Sequence, residues 1–223
     1  MRVLGNRQLL PWRKRSTDLE DASRRALLSF VVPLWIGAGL ADWWCHRRSD
    51  IEHTAGTREA AIHAAMMTEA GVPSLLGLLF EVNAGILATA YGLLAAHQAT
   101  AILDVEYAES QREVTTAEQH IHGLLEQTPV MACTFLTVLH WDQALALIGL
   151  GKAEPRFRLE RKRRPLPSSQ ILGMLGSILC FGVLPYTEEI IRCRRAARLG
   201  RSADMRPFAT DGFERSAEVA AVQ

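Results

Sequence analysis

The sequence predicts an all-α integral membrane helical bundle with four to five long helices. Three tracts, 26–41, 74–103 and 165–187, are uncharged or nearly so, and with their flanks they reach the about 20 residues that cross a bilayer as a helix. Charged residues make up 22% of the 223 residues, but they crowd the two ends and one loop. No strong strand alternation and no hairpin signal indicates a sheet.

Three regions follow from this distribution. Residues 1–25 are polar and rich in arginine, which predicts a basic cytoplasmic N-terminal tail under the positive-inside rule. The transmembrane helical bundle with a candidate metal site is predicted over 26–192, and a flexible basic C-terminal tail over 193–223. The first span is expected to bend at Pro33.

The middle of the chain gives weaker boundaries. The segment 56–70 alternates apolar and ionisable residues, so it is either an interfacial amphipathic helix or a bundle helix with a polar inner face. The Gly-Val-Pro triplet at 71–73 predicts a sharp break, after which the next helix starts at Ser74. Thr115 and Glu118 have the spacing of a capping box, which predicts the start of another helix.

The membrane topology is left with two arrangements. The basic loop 152–164 is expected on the cytoplasmic side with the N-terminus, and the predicted location is the bacterial inner membrane. If 56–70 spans, the arginines after residue 191 lie outside, against the positive-inside rule. If 56–70 lies at the interface, four spans remain, and the basic loop 152–164 is then the segment that lies outside against the positive-inside rule.

Acidic residues and histidines recur at helical spacing between Asp42 and His122. Residues four or seven apart lie on one face of a helix, so each pair offers one carboxylate and one imidazole in the same direction. Such donors together suit iron, manganese or zinc. The eight predicted metal ligands are Asp42 and His46, Glu59 and His63, His97 and Asp104, and Glu118 and His122.

The cost of burying these groups supports a bound cation. Ionisable groups at membrane depth cost of order 2.5–3.5 kcal/mol each, and a dication coordinates several at once. The predicted cofactor is therefore two iron ions, or zinc or manganese. Glu81 stands in an apolar tract and is predicted to be the catalytic carboxylate.

Counting residues from the expected turns separates the ligands into two groups. From a turn near 72, His63 is level with Glu81, and from a turn near 110, Asp104 is level with Glu118. A straight helix over 74–104 would hold these groups more than ~20 Å apart at about 1.5 Å per residue. A single site therefore requires that helix to break.

The most concrete functional hypothesis is a di-iron-type oxidoreductase of the oxygenase, hydroxylase or desaturase class. Its expected partners are the membrane lipid bilayer, a lipid-like or small apolar substrate, and an electron donor protein. The alternatives are a zinc-dependent membrane hydrolase, in which the metal activates water, and a non-enzymatic transporter or haem-binding membrane protein. Soluble di-iron bundles use Glu-x-x-His pairs, whereas the pairs here are spaced at four.

Composition excludes some classes. The net charge of +1 gives no reason to expect nucleic-acid binding. The four cysteines are scattered without a CxxC pair, which does not fit a zinc ribbon or a disulfide scaffold.

Overall fold

A computed structural model describes residues 16–163 and 165–200, which form six helices and no strand. Helix α1 covers 16–48 as Ser16–Ala26, a π-helical turn Leu27–Val31 and Val32–Arg48. The others are α2 Gly56–Leu79, α3 Ala84–Gln111, α4 Thr116–Leu139, α5 Trp141–Leu147 and α6 Ser168–Arg198. The all-α prediction is confirmed.

Four helical segments are long and apolar enough to cross a membrane: Leu19–Arg48, Gly56–Leu79, Ala84–Gln111 and Ser168–Arg198. Helix α4 passes the same test only together with the short α5, from which it is bent by 99°. The predicted four to five long helices are therefore confirmed, and the candidate spans indicate a membrane protein.

Two helices contain a π-helical turn just before a proline. Leu27–Val31 precedes Pro33 in α1, and Leu179–Val183 precedes Pro185 in α6. Proline has no N–H for the carbonyl one turn earlier, and a π-helical turn rearranges the backbone bonds there without ending the helix. Near Pro33, where a bend was expected, the helix therefore contains a wider, π-helical turn.

The predicted break at 71–73 is wrong, because α2 runs through Pro73 to Leu79. A helix within a membrane keeps its backbone groups paired, and nearby serines help to satisfy carbonyls freed by proline. Ser74 Oγ donates to the carbonyl of Ala70 at 2.8 Å. The chain turns instead at 80–83, where the side chain of Asn83 caps α3 by accepting the amide of Ile86.

The helices connect at two ends of the bundle. The near end holds the start of α1, the turn 80–83 and the segments 140–163 and 165–167. The far end holds the connectors 49–55 and 112–115 and the end of α6, which lies beside α1 through contacts such as Tyr186 with Gly39.

The described helices overlap both of the regions predicted as tails. Helix α1 begins at Ser16 and α6 ends at Arg198, so both helices extend into the regions predicted as tails. The remaining parts of those regions, 1–15 and 201–223, lie outside the described residues.

The basic loop packs on the near end rather than extending away from it. The amide of Glu81 donates to the carbonyl of Glu160 at 2.8 Å, and that of Gly85 to the carbonyl of Arg156 at 3.0 Å. The side chain of Asn83 donates to the carbonyl of Arg158 at 2.7 Å. The turn 80–83 thus holds the loop 152–163 against the bundle.

Candidate metal centre

Five helices bring buried ionisable side chains together at the far end of the bundle. The short connectors 49–55 and 112–115 place the end of α1 beside the start of α2, and the end of α3 beside the start of α4. The side chains are Asp42 and His46 from α1, Glu59 and His63 from α2, Asp104 from α3, Glu118 and His122 from α4, and Glu189 from α6. Each exposes 7% of its surface or less.

One group of ligand atoms comes from α1 and α4. Asp42 Oδ1 lies 3.5 Å from His46 Nε2 and 3.0 Å from His122 Nε2. Glu118 Oε1 lies 3.6 Å from His46 Nε2. The four residues offer atoms that all lie within 4.8 Å of one another, so they could hold a metal ion.

A second group comes from α2 and α3 and adjoins the first. His63 Nε2 lies 3.9 Å from Glu59 Oε1 and 3.2 Å from Asp104 Oδ1. Glu59 Oε1 is also 3.9 Å from His46 Nε2. The donor atoms of His46, Glu59 and His63 again meet the spacing of a metal site, so the two groups share His46.

One carboxylate orients both central imidazoles. Glu189 Oε2 lies 2.9 Å from His46 Nδ1, and Glu189 Oε1 lies 2.8 Å from His63 Nδ1. An ionised carboxylate only accepts hydrogen bonds, so both Nδ1 atoms donate and both Nε2 atoms keep a lone pair. The two rings stack with centroids 4.4 Å apart and planes 1° from parallel. Carboxylates commonly fix metal-binding histidines in this way.

An arginine joins the carboxylates of the two groups. Arg112 donates to both oxygens of Glu59, at 2.6 and 3.3 Å, and to both oxygens of Glu118, at 2.5 and 3.0 Å. Burial lowers the pKa of Arg112, but the hydrogen bonds and charges of these carboxylates outweigh it and raise that pKa. Arg112 therefore stays positively charged and holds α2 against the start of α4.

The described residues of the cluster carry an excess of negative charge. Its five carboxylates come from Asp42, Glu59, Asp104, Glu118 and Glu189, and Arg112 pairs with two of them, Glu59 and Glu118. With neutral imidazoles, four negative charges remain, which protonated imidazoles or bound cations would compensate. Buried unpaired charges are otherwise strongly unfavourable.

Several donor atoms in the cluster lack a hydrogen-bond partner among the described residues. They are Asp42 Oδ1, His46 Nε2, His63 Nε2, Asp104 Oδ1 and both ring nitrogens of His122. Most buried polar atoms in proteins have a partner, and the contacts above bring these atoms close together without hydrogen-bond geometry. Ligand atoms that lie close together without hydrogen-bond partners are the arrangement that a metal ion would require.

A small cavity adjoins the cluster. Its volume is about 40 Å³, and its polar wall includes Asp42, His63, Asp104 and His122. Tyr186 closes one side and donates to Asp42 Oδ2 at 3.0 Å, which leaves Oδ1 directed toward His122. The remaining wall is largely apolar, with Trp35, Met66, Met67, Ala101, Val105 and Leu125.

Two of the predicted site residues lie apart from the cluster. His97 is buried on α3 and faces Glu69, with its Nδ1 3.6 Å from Glu69 Oε2. Glu81, the predicted catalytic carboxylate, lies at the near end and accepts the amide of Arg163 at 2.8 Å. The other seven predicted ligands are brought together.

Sequence reasoning missed Glu189, Arg112 and Tyr186. Glu189 follows the longest uncharged run by two residues, and this position resembles that of Asp42 after the first uncharged tract. Arg112 lies in an acidic stretch with Glu109 and Glu113, and its charge was the only local signal. Tyr186 carried none.

Comparison with known proteins gives no independent support for a function. No family model, no curated protein and no solved structure matches this chain. The function of the cluster therefore has to be argued from its own residues and geometry.

Proposed function

We propose that the chain is an integral membrane metal-dependent oxidoreductase with a dinuclear iron centre, acting on a lipid-like or small apolar substrate. The observation that carries the proposal is a set of five buried ligand atoms without hydrogen-bond partners, Asp42 Oδ1, His46 Nε2, His63 Nε2, Asp104 Oδ1 and His122 Nε2, each 3.0–3.5 Å from another of the set. The parallel rings of His46 and His63 would each present one Nε2 atom to one ion. Paired metal ions in enzymes are about 3.5–4 Å apart, comparable to the 4.4 Å between the ring centroids.

The donor set suits iron, manganese or zinc. Carboxylate oxygens from Asp42, Glu59, Asp104 and Glu118 accompany three imidazoles, and the described cysteines are absent from the cluster. Histidines with carboxylates are the ligands of non-haem iron enzymes, whereas the thiolates that structural zinc sites commonly use do not take part here. The apolar wall formed by Trp35 and its neighbours suits a hydrocarbon substrate.

In hydroxylation, a C–H bond of the substrate is broken and a C–O bond is formed with one atom of dioxygen. The other oxygen atom leaves as water, and a reduced electron donor protein supplies two electrons while two protons are taken up. The iron ions would supply the binding and reduction of dioxygen. Glu189 keeps both imidazoles oriented, and the apolar wall limits access of water to the reacting carbon.

Metal analysis of detergent-purified protein tests the proposal. The wild type is expected to contain about two iron ions per chain, and His63→Ala and His122→Ala are expected to lower this content. His120→Ala is a matched control, because His120 lies on the same helix as His122 but is exposed. Oxygen uptake driven by a chemical reductant and dependent on an added hydrocarbon substrate should accompany the bound iron.

Each outcome separates the candidate functions. Protein without any stoichiometric transition metal would end the proposal, as would unchanged metal content in both His63→Ala and His122→Ala. Stoichiometric zinc without a redox-active metal would instead indicate the zinc-dependent membrane hydrolase. A Soret band would indicate haem binding.

We further propose that the protein lies in the bacterial inner membrane with its near end in the cytoplasm. The near end carries Arg24, Arg25 and the basic loop 152–163, and the far end carries the arginines at the end of α6. By sequence, residues 1–25 and 152–164 contain 14 lysines and arginines, against 11 in 47–58, 112 and 192–223, and this small excess supports a cytoplasmic N-terminus. Alkaline phosphatase fused after residue 200 should then be active in cells, and an inactive, stable fusion would contradict this topology.

A further inference from the structure

A larger apolar cavity runs through the near half of the bundle. Its volume is about 180 Å³, and residues of α1, α2, α3 and α4 form most of its wall. Aliphatic side chains dominate the lining, including Leu28, Val31, Leu78, Leu94 and Leu136. A space of this kind, inside a bundle with candidate membrane spans, is suited to a hydrocarbon chain.

This cavity leads to the metal centre. Trp35 and His97 line both the large cavity and the small one that contains Asp42 and His122. The two spaces are therefore neighbours across these two side chains. A molecule lying in the large cavity would direct one end toward the metal ligands.

The other end of the large cavity is bordered by cationic groups. Arg24 and Lys162 line it there, together with Glu20 and His140. Burial and the charge of Arg24 lower the pKa of Lys162, although Glu81 acts in the opposite direction. The positive charge of Lys162 is thus incompletely compensated, and binding of an anion would stabilise it.

The surrounding loop adds to this positive potential. Residues 152–163 carry six lysine and arginine side chains and two glutamates, and the loop is docked on the turn 80–83. The half-exposed Arg24 is paired with Glu20 at 3.0 Å, a surface pair that contributes little and can exchange for a headgroup.

The distance between the two ends sets the length of the occupant. Arg24 and Trp35 are 11 residues apart on α1, or ~17 Å at about 1.5 Å per residue. Asp42 is seven residues further on, which adds ~10 Å. A sixteen-carbon chain is long enough for the first of these distances but not for both, so its end would lie beside Trp35 and His97, which border the small cavity.

We propose that the large cavity binds a long-chain fatty acid, with its carboxylate at Lys162 and Arg24 and the carbons far from the carboxylate beside Trp35 and His97, which border the small cavity of the metal centre. This assignment of the reacting carbons rests on the proposed oxidoreductase function. The binding of the chain does not, because the cavity wall and its cationic end contain none of the metal ligands.

Binding to metal-free protein tests the assignment without relying on catalysis. The probes are palmitate, octanoate and cetyl alcohol, competing with a fluorescent fatty acid in detergent solution. Palmitate is expected to bind at least about tenfold more tightly than octanoate, since each buried methylene contributes about 0.8 kcal/mol. It is also expected to bind more tightly than cetyl alcohol, which has no charge.

Two kinds of variant separate the chain from the headgroup. Two variants fill the cavity: Ala132→Phe and, at a more exposed lining position, Ser74→Leu. Each should weaken palmitate binding at least about tenfold. Ala96→Phe, on an exposed face of α3, is the control and should not weaken it. Lys162→Glu should weaken palmitate binding and leave cetyl alcohol binding unchanged, whereas the exposed Lys152→Glu should change neither.

The outcomes are distinct from those of the metal test. Palmitate binding that is insensitive to both filling variants would overturn the cavity assignment, even if two iron ions are present. Equal binding of palmitate and cetyl alcohol, unaffected by Lys162→Glu, would overturn the carboxylate assignment. Normal palmitate binding in a protein that takes up no metal would contradict the proposed oxidoreductase alone.

Discussion

The carboxylate of Glu189 provides the sharpest test of the metal centre. In Glu189→Gln, the amide keeps nearly the same shape, but one of its two ends becomes a donor. His46 Nδ1 and His63 Nδ1 both donate to the present carboxylate, at 2.9 and 2.8 Å. The amide NH₂ would face one of them, so that ring would have to move its proton to Nε2 and lose its metal-binding lone pair.

The expected magnitude follows from this geometry. Loss of an outer hydrogen-bond partner of a metal ligand costs about 10- to 100-fold in metal affinity. Glu189 supports two imidazoles, and its replacement also removes one of the five negative charges of the cluster, so we expect the upper end of this range. In free energy this is about 2.8 kcal/mol at 1.4 kcal/mol per tenfold change.

Chelator competition on detergent-purified protein measures this change, with bound iron read at increasing concentrations of the competing chelator. Glu188→Gln is a matched control, since Glu188 is the preceding residue of α6 and contacts Trp43, Arg47 and Arg192 but no imidazole. It should bind metal like the wild type. Equal affinities of Glu189→Gln and wild type, or an equal loss in both variants, would refute the reasoning.

Three further changes test other parts of the structure. Arg112→Leu leaves the carboxylates of Glu59 and Glu118 without a paired charge in the metal-free protein, so we expect a loss of about 3–5 kcal/mol of stability. Because added metal then compensates these charges, Tm should rise more on adding metal than it does in the wild type. Equal rises in Tm would contradict this. Gly85→Ala places a Cβ 3.1 Å from Phe157 Cα, which pushes the basic loop away from the bundle, so trypsin should cleave the loop faster. Gly92→Ala has open space around its Cβ and should leave the cleavage rate unchanged. His97→Ala should keep the iron content of the wild type, and a loss of metal would place His97 among the ligands.

Local spacing predicted which side chains share a helix face, but it did not predict the register between helices. Asp42 with His46, Glu59 with His63 and Glu118 with His122 do meet within one cluster. Those contacts depend on 3.6-residue periodicity, which is a property of each helix alone.

The error in register came from one turn. With the turn placed at 72, His63 was paired with Glu81, whereas the actual turn at 80–83 places His63 beside Asp104. A displacement of ~10 residues along a helix amounts to ~15 Å. Pro73 predicted a break, but the lipid environment favours a continuous helix. The turn is instead marked by Asn83, whose side chain caps the start of α3.

The segment 74–104, in which a single site requires a break, is interrupted before Ala84, and α3 then continues without interruption to Gln111. The same shift explains the position of Glu81. It belongs to the turn at the near end, where its backbone and side chain bind the basic loop. An isolated acidic residue in an apolar tract can mark a turn as well as a catalytic group.

A more complete count of hydrogen bonds would have pointed to Glu189. Each imidazole that coordinates a metal through Nε2 leaves an Nδ1–H that needs an acceptor, and His46 and His63 lie on different helices. The carboxylates assigned as ligands are needed for the metal, so the acceptor has to come from the one remaining span, where Glu188 and Glu189 follow the uncharged run. The structure distinguishes the two, since Glu189 contacts His46 and His63 whereas Glu188 contacts Trp43 and Arg47. The requirement for an acceptor, rather than any sequence motif, thus limits the choice to this pair, and the variants Glu189→Gln and Glu188→Gln are designed to separate its two members.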